Sequence, residues 1–325
     1  MHKHFDKLKI LAVIAAIALA LIMIYSGMRL VEVYNQGTGN HGVVTSKTIV
    51  RNGVEYYPRQ DITVFLFMGI DEFGPMESSG APQNPGASDV VILGIFDETA
   101  GCIDVLALNR DTMLEMPVLG VGGKPAGSYY GQLALAHTFG DGLEESCENT
   151  KKAVSDFLYG LRIDYYLAAN MDAIQILNDA VGGVKVNVVH DFSKVDPSIP
   201  MGETVLMGEQ ALSFIRMRKD VDDQLNVTRM ERQNHYMERF TETLRGKVDQ
   251  SDSFILDLYE QIEDYSVSDC SATSFNAIMR HFADYPLRDI ITLEGENRRG
   301  EKYMEFYPDE QKLDELILRL FYAGK

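Results

Sequence analysis

One stretch, ITVFLFMGI at residues 62–70, limits the folds open to this chain more than any other. It is a continuous apolar run rich in residues that favour β-structure, and such a run is typical of a strand buried on both faces. Asp71 follows it directly. Open α/β sheets bind ligands beyond the carboxyl ends of their strands. The stretch therefore predicts a buried strand that ends in a carboxylate at a ligand-binding position.

Two further apolar runs, at residues 90–96 and 103–108, follow a loop rich in Pro, Gly, Ser and Asn at residues 74–87. The short polar segment between the two runs predicts a hairpin-like turn. Asp89 precedes the first run, and Arg110 comes shortly after the second. The pattern therefore places Asp89 and Arg110 at strand ends, like Asp71.

Asp71 and Asp89 are predicted magnesium ligands. Two carboxylates close together are hard to keep ionised unless a cation lies between them. Mg²⁺ usually takes one or two protein carboxylates, keeps several waters and bridges to substrate phosphate. For each acid alone, the alternative is a turn-forming or helix-capping role.

Residues 208–233 reverse the sign of an otherwise acidic chain. The whole chain has 30 Lys and Arg against 48 Asp and Glu, for a net charge of −18. Arginine suits phosphate, because its planar fork donates two parallel hydrogen bonds and keeps its charge when desolvated. The basic residues of the stretch are Arg216, Arg218, Lys219, Arg229 and Arg232. We predict a phosphate or pyrophosphate pocket here, and the alternative is a salt-bridged surface helix.

The spacing within this stretch fits a pocket. If residues 212–218 are extended, Arg216 and Arg218 point to the same face. A helix that begins near Asn226 would place Arg229 and Gln233 one turn apart. The free N–H groups of that helix N-terminus would add to the attraction for an anion.

The N-terminal segment predicts a membrane anchor. Residues 10–28 form an apolar run of about 19 residues before Arg29, close to the length that spans a bilayer as a helix, so the predicted anchor covers residues 10–29. Lysines in residues 1–9 keep that end in the cytoplasm, so the C-terminal domain lies outside the plasma membrane as a single-pass protein. The alternative is a cleaved signal peptide, whose apolar core is usually about 7–15 residues long. Residues 30–60 are predicted to be a linker and the start of the outer domain.

Composition limits the partners and the chemistry. The acidic balance excludes nucleic acid, because binding it requires an excess of Lys and Arg. Cys102, Cys147 and Cys270 have no metal-ligand spacing, and we predict a disulfide between Cys147 and Cys270, with Cys102 buried. The histidines His137, His190 and His235 have no partners at ligand spacing and are predicted to be non-catalytic.

Apolar periodicity predicts the remaining elements. Helices are expected at residues 143–158, 171–180, 254–262, 272–282 and 310–322. Strands are expected at residues 185–189, 289–293 and 303–307, with residues 294–300 as the turn between the last two.

Six motifs in order resemble the LytR–CpsA–Psr family of membrane-anchored cell-wall enzymes. They are FLFMGID (65–71), SDVVILGIFD (88–97), LALNRDTM (106–113), GLRIDYYLAANMDAI (160–174), NDAVGGVKVNV (178–188) and GEQALSFIRMRK with NVTRMERQ (208–233). The core motifs cover residues 61 to about 240. The resemblance implies one catalytic domain over residues 61–325, with a three-layer α/β/α sandwich around a mixed β-sheet and a hydrophobic pocket for a polyprenyl chain.

The resemblance also implies an activity and its residues. Family members move a teichoic-acid- or capsule-like glycopolymer from an undecaprenyl-pyrophosphate carrier to a peptidoglycan hydroxyl, forming a phosphodiester with Mg²⁺, or Mn²⁺ in its place. The family's metal acids match Asp71 and Asp89. Its pyrophosphate residues match Arg110, Arg216, Arg218, Arg229 and Gln233. Arg110 and Arg218 are the arginines expected to take part in catalysis.

The sequence departs from the family pattern in two places. Ala87 replaces an arginine found before the Ser-Asp pair in many members, and Asn226 replaces an aspartate before the helix arginine. An amide is no base, so Asn226 is expected to bind the pyrophosphate without accepting a proton. We assign proton acceptance to Asp223, with Asp222, Asp111 or the metal alone as alternatives.

Two other functions fit the same residues. Water as the acceptor would give a polyprenyl-pyrophosphate hydrolase. Loss of the aspartate at position 226 leaves room for a non-catalytic protein that binds lipid or glycan and regulates envelope assembly.

Overall fold

The computed structural model describes residues 48–51, 53–217, 221, 232, 235–236, 238–240, 242–244, 246–247, 250–251, 253–282 and 285–324. The predicted anchor at 10–29 lies outside these residues. So do Arg218, Asp222, Asp223, Asn226, Arg229 and Gln233. Within the described ranges, no helix is both long enough and apolar enough to cross a membrane.

The strands are β1 Ile49–Arg51, β2 Val54–Pro58, β3 Ile62–Ile70, β4 Ser88–Asp97, β5 Cys102–Leu108, β6 Met113–Leu119, β7 Pro125–Gln132, β8 Tyr165–Asn170, β9 Val184–Val188, β10 Gly202–Leu206, β11 Ser266–Ser268, β12 Leu287–Thr292, β13 Gly295–Arg299, β14 Met304–Pro308 and β15 Tyr322–Gly324. The helices are α1 Glu144–Phe157, α2 Met171–Ala180, α3 Glu209–Arg216, α4 Phe254–Gln261, α5 Ala272–His281 and α6 Glu310–Phe321.

A central sheet has the strand order β11-β8-β3-β4-β5-β12. β3 pairs with β4, β4 with β5, and β8 with β11 in antiparallel fashion, whereas β3–β8 and β5–β12 are parallel pairs. The predicted mixed sheet is therefore confirmed. β3 is one of its two central strands and is buried along most of its length, as its continuous apolar run predicts.

The side chains of β3 divide between two apolar cores, one on each face of the sheet. Phe65 and Phe67 pack in the first core with residues of α2, α3, α4 and α5. Leu66 and Met68 pack in the second core with residues of α1 and α6. Helices therefore cover both faces, and the described part of the chain has the predicted three layers.

Smaller sheets complete the fold: β1-β2-β15, β9-β10, β6-β7 and β13-β14. The β6–β7 and β13–β14 hairpins matter for the site. β6 begins five residues after β5 ends, so the first of these hairpins starts close to Arg110. A bridge between Thr112 and Phe306 joins the start of the β6–β7 hairpin to the β13–β14 hairpin.

Predicted helices and strands outside the arginine-rich stretch are confirmed within about two residues, but two local predictions are wrong. Residues 212–216 are helical rather than extended, because α3 packs buried residues at helical spacing, among them Ala211, Phe214 and Ile215, into the first core. The turn predicted at 294–300 contains a strand, β13, which pairs with β14 across the full length of both.

The predicted disulfide between Cys147 and Cys270 is also wrong. All three cysteines are free and buried. Cys147 lies in the second core and Cys270 in the first, so the central sheet separates the two thiols. A disulfide needs Cα atoms within about 7 Å, which residues on opposite faces of a sheet do not provide.

Candidate active site

Three strand ends meet along the border of the central sheet where β3 and β5 end and β4 begins, and this border is called the sheet edge below. Because β3, β4 and β5 are successive antiparallel strands, the end of β3 and the end of β5 lie beside the start of β4. The N–H of Asp71 donates to the carbonyl of Ala87 at 3.1 Å. The pairing register shifts after Gly69, from Gly69–Val90 to Ile70–Ser88, so Asp89 is the extra residue of a bulge. Bulges re-aim side chains, and this one places Asp89 at the same edge as Asp71.

Asp89 and Arg110 form an ion pair at this edge, from Arg110 Nη1 to Asp89 Oδ1. Their side chains are 29% and 38% exposed, so both groups keep access to solvent. Burial raises the pKa of the Asp89 carboxyl, Arg110 opposes the rise, and the negative charge of Asp71 adds to it. The structure therefore brings the predicted residues Asp71, Asp89 and Arg110 together.

A line of polar contacts continues from Arg110 towards the β6–β7 hairpin. Arg110 Nε lies 3.7 Å from Asp111 Oδ1, and the same oxygen accepts a hydrogen bond from Gln132 Nε2 at 3.0 Å. Asn109 Oδ1 accepts the N–H of Asp111 at 2.9 Å and shapes the turn that presents Arg110. Asp111 is therefore the alternative proton acceptor that lies beside the site in the described part of the chain.

The acids at this edge fit a magnesium ion that keeps most of its waters. Among the described residues, no group of three or more His, Cys, Asp and Glu side chains is arranged to hold a metal. A closed protein cage is thus not present there, but two carboxylates at a strand edge match the way Mg²⁺ binds together with substrate phosphates. Burial is the main cause of the raised pKa of Asp89, and a bound cation would relieve the additional repulsion from Asp71.

The arginine-rich stretch is described only in part. Arg216 is the last residue of α3, and Arg218, Asp223, Asn226, Arg229 and Gln233 lie outside the described residues. Arg232 is buried, with Nε donating to the carbonyl of Phe214 at 2.5 Å and Nη2 donating to that of Met217. Its guanidinium also lies 5.3 Å from the centre of the Phe192 ring. Arg232 therefore caps the C-terminal end of α3 and belongs to the core rather than to a phosphate pocket.

Asn84 supports the site and was not predicted from the sequence. Its Nδ2 donates to the carbonyls of His137 (2.8 Å) and Gly140 (3.2 Å) and to Ser146 Oγ (3.0 Å), while its Oδ1 accepts the N–H of Gly86 at 2.8 Å. The side chain thus fastens the loop that leads into Asp89 to the layer below. The one sequence signal is that Asn84 precedes Pro-Gly, a context that favours a turn stabilised by an Asn side chain.

His137 holds the same loop from the other side. Its Nδ1 lies 2.8 Å from the carbonyl of Gly86, and its Nε2 lies 3.8 Å from Cys147 Sγ. Burial lowers the pKa of His137 to about 4, so the ring is neutral at pH 7. A carbonyl only accepts, so Nδ1 carries the proton. The short 3₁₀ segment of residues 133–138 also contacts both sides of the site. The Ser88 hydroxyl donates a hydrogen bond to the Ala134 carbonyl at 3.4 Å, and the Ala134 N–H donates to the Arg110 carbonyl at 3.0 Å.

A model of the LytR_cpsA_psr family matches residues 28–321, which include every element that positions the site. The chain belongs to this family. The match agrees with the resemblance that the spaced motifs suggest.

Curated relatives carry teichoic acid transferase names. The chain is 28% identical over 186 residues to the polyisoprenyl-teichoic acid–peptidoglycan teichoic acid transferase TagU of Oceanobacillus iheyensis, covering 57% of this chain and 52% of the relative. It is 28% identical over 221 residues to TagV of Bacillus subtilis, covering 65% and 52%. The chain spans about half the length of the curated relatives that it matches.

Solved structures share the fold. TagV of B. subtilis superimposes with a TM-score of 0.56 at 23% identity, covering 81% of this chain and 96% of TagV. The protein gbs0355 of Streptococcus agalactiae gives 0.59 at 21% identity, covering 80% and 86%. At these identities the likeness supports the mixed α/β fold.

Proposed function

We propose that this protein transfers an anionic glycopolymer from an undecaprenyl-pyrophosphate carrier to a peptidoglycan hydroxyl through a phosphodiester. The acceptor oxygen bonds to the sugar-linked phosphorus, the pyrophosphate P–O bond breaks, and undecaprenyl phosphate leaves. The observation that carries the proposal is the meeting of Asp71, Asp89 and Arg110 at one sheet edge. The chain belongs to a family in which relatives are named as teichoic acid transferases that act on peptidoglycan. Acids and an arginine at an open sheet edge are the parts that phosphoryl transfer needs.

The residues of the site divide the work. Asp71 and Asp89 would hold Mg²⁺, which when bound neutralises negative charge on phosphate oxygens. Arg110 donates hydrogen bonds to a phosphate oxygen and stabilises the charge that develops on it during transfer. Asp223 accepts the proton of the attacking hydroxyl, with Asp111 as the alternative that lies against Arg110. Arg216, Arg218, Arg229, Gln233 and Asn226 are the proposed remaining pyrophosphate contacts.

The protein is proposed to act at the outer face of the plasma membrane. Residues 10–29 would serve as a single-pass anchor, with residues 1–9 in the cytoplasm. A protease added to intact cells should degrade the domain, and alkaline washing should leave the chain in the membrane fraction. Release by the wash, or protection from the protease, would contradict this topology.

The transferase is tested with the full chain in detergent. It is incubated with a short-chain polyprenyl-pyrophosphate glycan, peptidoglycan oligomers and Mg²⁺, with and without a chelator, and the acceptor is analysed by mass spectrometry. A metal-dependent gain of glycan-phosphate on the acceptor is the expected result. Cleavage of the donor without transfer would instead establish a hydrolase, and intact bound donor would establish a binding protein.

A further inference from the structure

The two hairpins beside the site present tyrosines on one shared outward face. In β6–β7, Tyr130 is paired with Glu115, and these residues alternate with Leu114 and Met116, which point into the second core. In β14, Phe306 points into the same core, so its neighbour Tyr307 points outward. Tyr303 lies in the turn just before β14, next to Met304, whose carbonyl accepts a hydrogen bond from Gln132 of β7.

Two of these tyrosines are open to solvent, and Tyr307 is half-buried. Tyr130 is 58% exposed and Tyr303 is 67% exposed. The parallel bridge between Thr112 and Phe306 sets Tyr307 beside the β6–β7 hairpin, which carries Tyr130 opposite Glu115. The guanidinium of Arg298, on the neighbouring strand β13, lies 4.7 Å from the centre of the Tyr307 ring in a cation–π contact.

Hydrogen bonds connect the tyrosine face to the candidate active site. Gln132 Nε2 donates both to Asp111 Oδ1, at 3.0 Å, and to the carbonyl of Met304, at 2.8 Å. Asp111 in turn lies against Arg110, which is paired with Asp89. The backbone N–H of Phe306 also donates to the Asp111 carbonyl at 2.8 Å. One side chain, Gln132, thus fixes both hairpins to the residue that follows Arg110.

The charges of this face select among partners. Its described carboxylates are those of Asp111, Glu115, Glu296 and Glu305. Two arginines oppose them, Arg110 beside Asp111 and Arg298 paired with Glu296 at 2.8 Å, and Glu305 also accepts the Tyr307 hydroxyl at 2.8 Å. A net acidic face repels an anionic lipid surface and an anionic glycopolymer. It suits an uncharged sugar strand, because tyrosine rings cover the C–H face of a sugar and carboxylates accept hydrogen bonds from its hydroxyls.

We propose that the face formed by Tyr130, Tyr303 and Tyr307 binds the acceptor glycan, a strand of β-linked N-acetylated amino sugars, and delivers its hydroxyl to the Arg110 edge. This assignment rests on the proposed transfer to peptidoglycan and adds the surface that holds the acceptor. The donor, which carries phosphates, is assigned to Arg110 and the metal acids, and the acceptor strand to the neighbouring tyrosine face.

The test measures sugar binding without turnover. The full chain in detergent is sedimented with insoluble peptidoglycan stripped of its anionic polymers, and is titrated with the soluble tetramer of β-1,4-linked N-acetylglucosamine. The double substitution Tyr130→Ala and Tyr303→Ala should weaken both interactions about tenfold, as expected for the loss of two ring contacts. Tyr130→Phe keeps the ring and should retain binding within about twofold.

Tyr57→Ala is the matched control. Tyr57 is an exposed tyrosine on β2. That strand leads into the start of β3, whereas Asp71 follows the end of β3. Its removal should leave sugar binding unchanged. Wild-type affinity in the double variant would overturn the proposal, and so would an equal loss in Tyr57→Ala. The melting temperature verifies folding, and the single variant Tyr303→Ala, in a turn, replaces the double variant if the latter unfolds.

The transfer reaction separates this proposal from the proposed function. In the double variant, KM for the acceptor should rise about tenfold while donor affinity stays at the wild-type value. A loss of donor affinity instead would assign the face to the donor polymer and overturn the proposal. If the wild-type protein binds the sugar tetramer through these tyrosines but transfers nothing, the proposed function fails and the glycan-binding face stands.

Discussion

Arg110 links the metal acids to the rest of the candidate site, and its removal is the sharpest test of the described part. Arg110→Ala should lower kcat/KM for transfer by about two to three orders of magnitude, because one preorganised donor to a developing charge contributes about 3–4 kcal/mol to transition-state stabilisation. The measurement is steady-state transfer to peptidoglycan oligomers at saturating Mg²⁺. Folding should be retained, since the side chain is 38% exposed.

Arg162 provides the control for Arg110. Its side chain is 39% exposed and pairs with Asp164 at 2.8 Å, so it matches Arg110 in exposure and in having a carboxylate partner. It contacts the start of β3, at the carbonyl of Ile62, rather than the end. Arg162→Ala should leave transfer within about twofold of wild type. Near-normal turnover in Arg110→Ala, or equal losses in both variants, would remove Arg110 from the site.

Asn84 is expected to act as a positioning residue. Asn84→Ala removes four hydrogen bonds that fix the loop before Asp89, so Asp89 should lose its alignment with Asp71 and Arg110. We expect kcat to fall about ten- to hundredfold, as small misplacements of catalytic groups do, with KM for the donor within about twofold. The free energy of unfolding should fall by about 1–3 kcal/mol.

Asn149→Ala separates positioning from simple loss of stability. The amide of Asn149 donates to the carbonyls of Pro117 (3.1 Å) and Ala136 (2.8 Å) in the same layer, without touching the loop. It should destabilise the fold by a similar amount and leave kcat near wild type. If the two variants lose kcat equally, Asn84 has only a structural role.

The sequence reveals some of these residues and hides others for a physical reason. Asp71, Asp89 and Arg110 stand at the ends of apolar runs, so the strand pattern that buries the runs also exposes them. Three of the four partners of Asn84 lie 53 to 62 positions further along the chain, and only Gly86 is local. No local pattern encodes such contacts, because they exist only once the 3₁₀ segment and α1 pack beneath the loop.

At the scale of elements, the end of the sheet opposite the site is fixed by buried ion pairs. Asp97, the last residue of β4, accepts two hydrogen bonds from Arg59, at 2.7 and 2.8 Å. Asp104 on β5 accepts a hydrogen bond from Arg288 at 2.9 Å, which ties β5 to the edge strand β12. Both carboxylates are buried, so each depends on its arginine for compensation.

Asp97→Asn should lower the free energy of unfolding by about 2 kcal/mol, because charge-assisted hydrogen bonds become neutral ones. Urea unfolding at pH 7 measures the change. Asp61→Asn is the control, since Asp61 pairs with the same Arg59 but is more exposed, and its loss should cost less than about 1 kcal/mol. Transfer activity should be unchanged in both, and a larger loss for Asp61→Asn would contradict the burial argument.

The same pair predicts a pH dependence. The hydrogen bonds from Arg59 hold the pKa of Asp97 below its usual value, against the opposing effect of burial. A depressed folded-state pKa contributes stability that is present above about pH 4 and is lost as the pH falls through the folded value. Wild type should therefore lose stability faster than Asp97→Asn below about pH 4, and parallel curves would contradict the assignment.

Helix α3 shows where local pattern fails. The segment LSFIRMR alternates well enough to suggest an extended chain with Arg216 and Arg218 on one face. The structure makes residues 209–216 helical, since the apolar face of α3 packs against α2 and Arg232 caps its C-terminal carbonyls. The short segment fits both the helical and the extended period. Packing against α2 and the contact with Arg232, 18 positions after Phe214, decide between them.

At the scale of the whole molecule, the layering followed from the apolar runs but the contents of each layer did not. A strand buried on both faces needs helices on both sides, so the three layers are a consequence of ITVFLFMGI and its neighbours. Which helix covers which face depends on connections that the runs do not specify. The cysteine prediction failed for that reason, because α1 and the segment before α5 pack on opposite faces.

The fold is therefore expected to be stable without disulfides. Burial raises the pKa of Cys270 to about 12 and also raises that of Cys147, so neither thiol is reactive in the folded protein. A thiol reagent at pH 8 should label none of the three cysteines in the native domain and all three after unfolding in urea. The melting temperature should be the same with and without reductant. Labelling of a single thiol in urea, together with destabilisation by reductant, would show that two cysteines pair and that the two cores are not separated by the sheet as described.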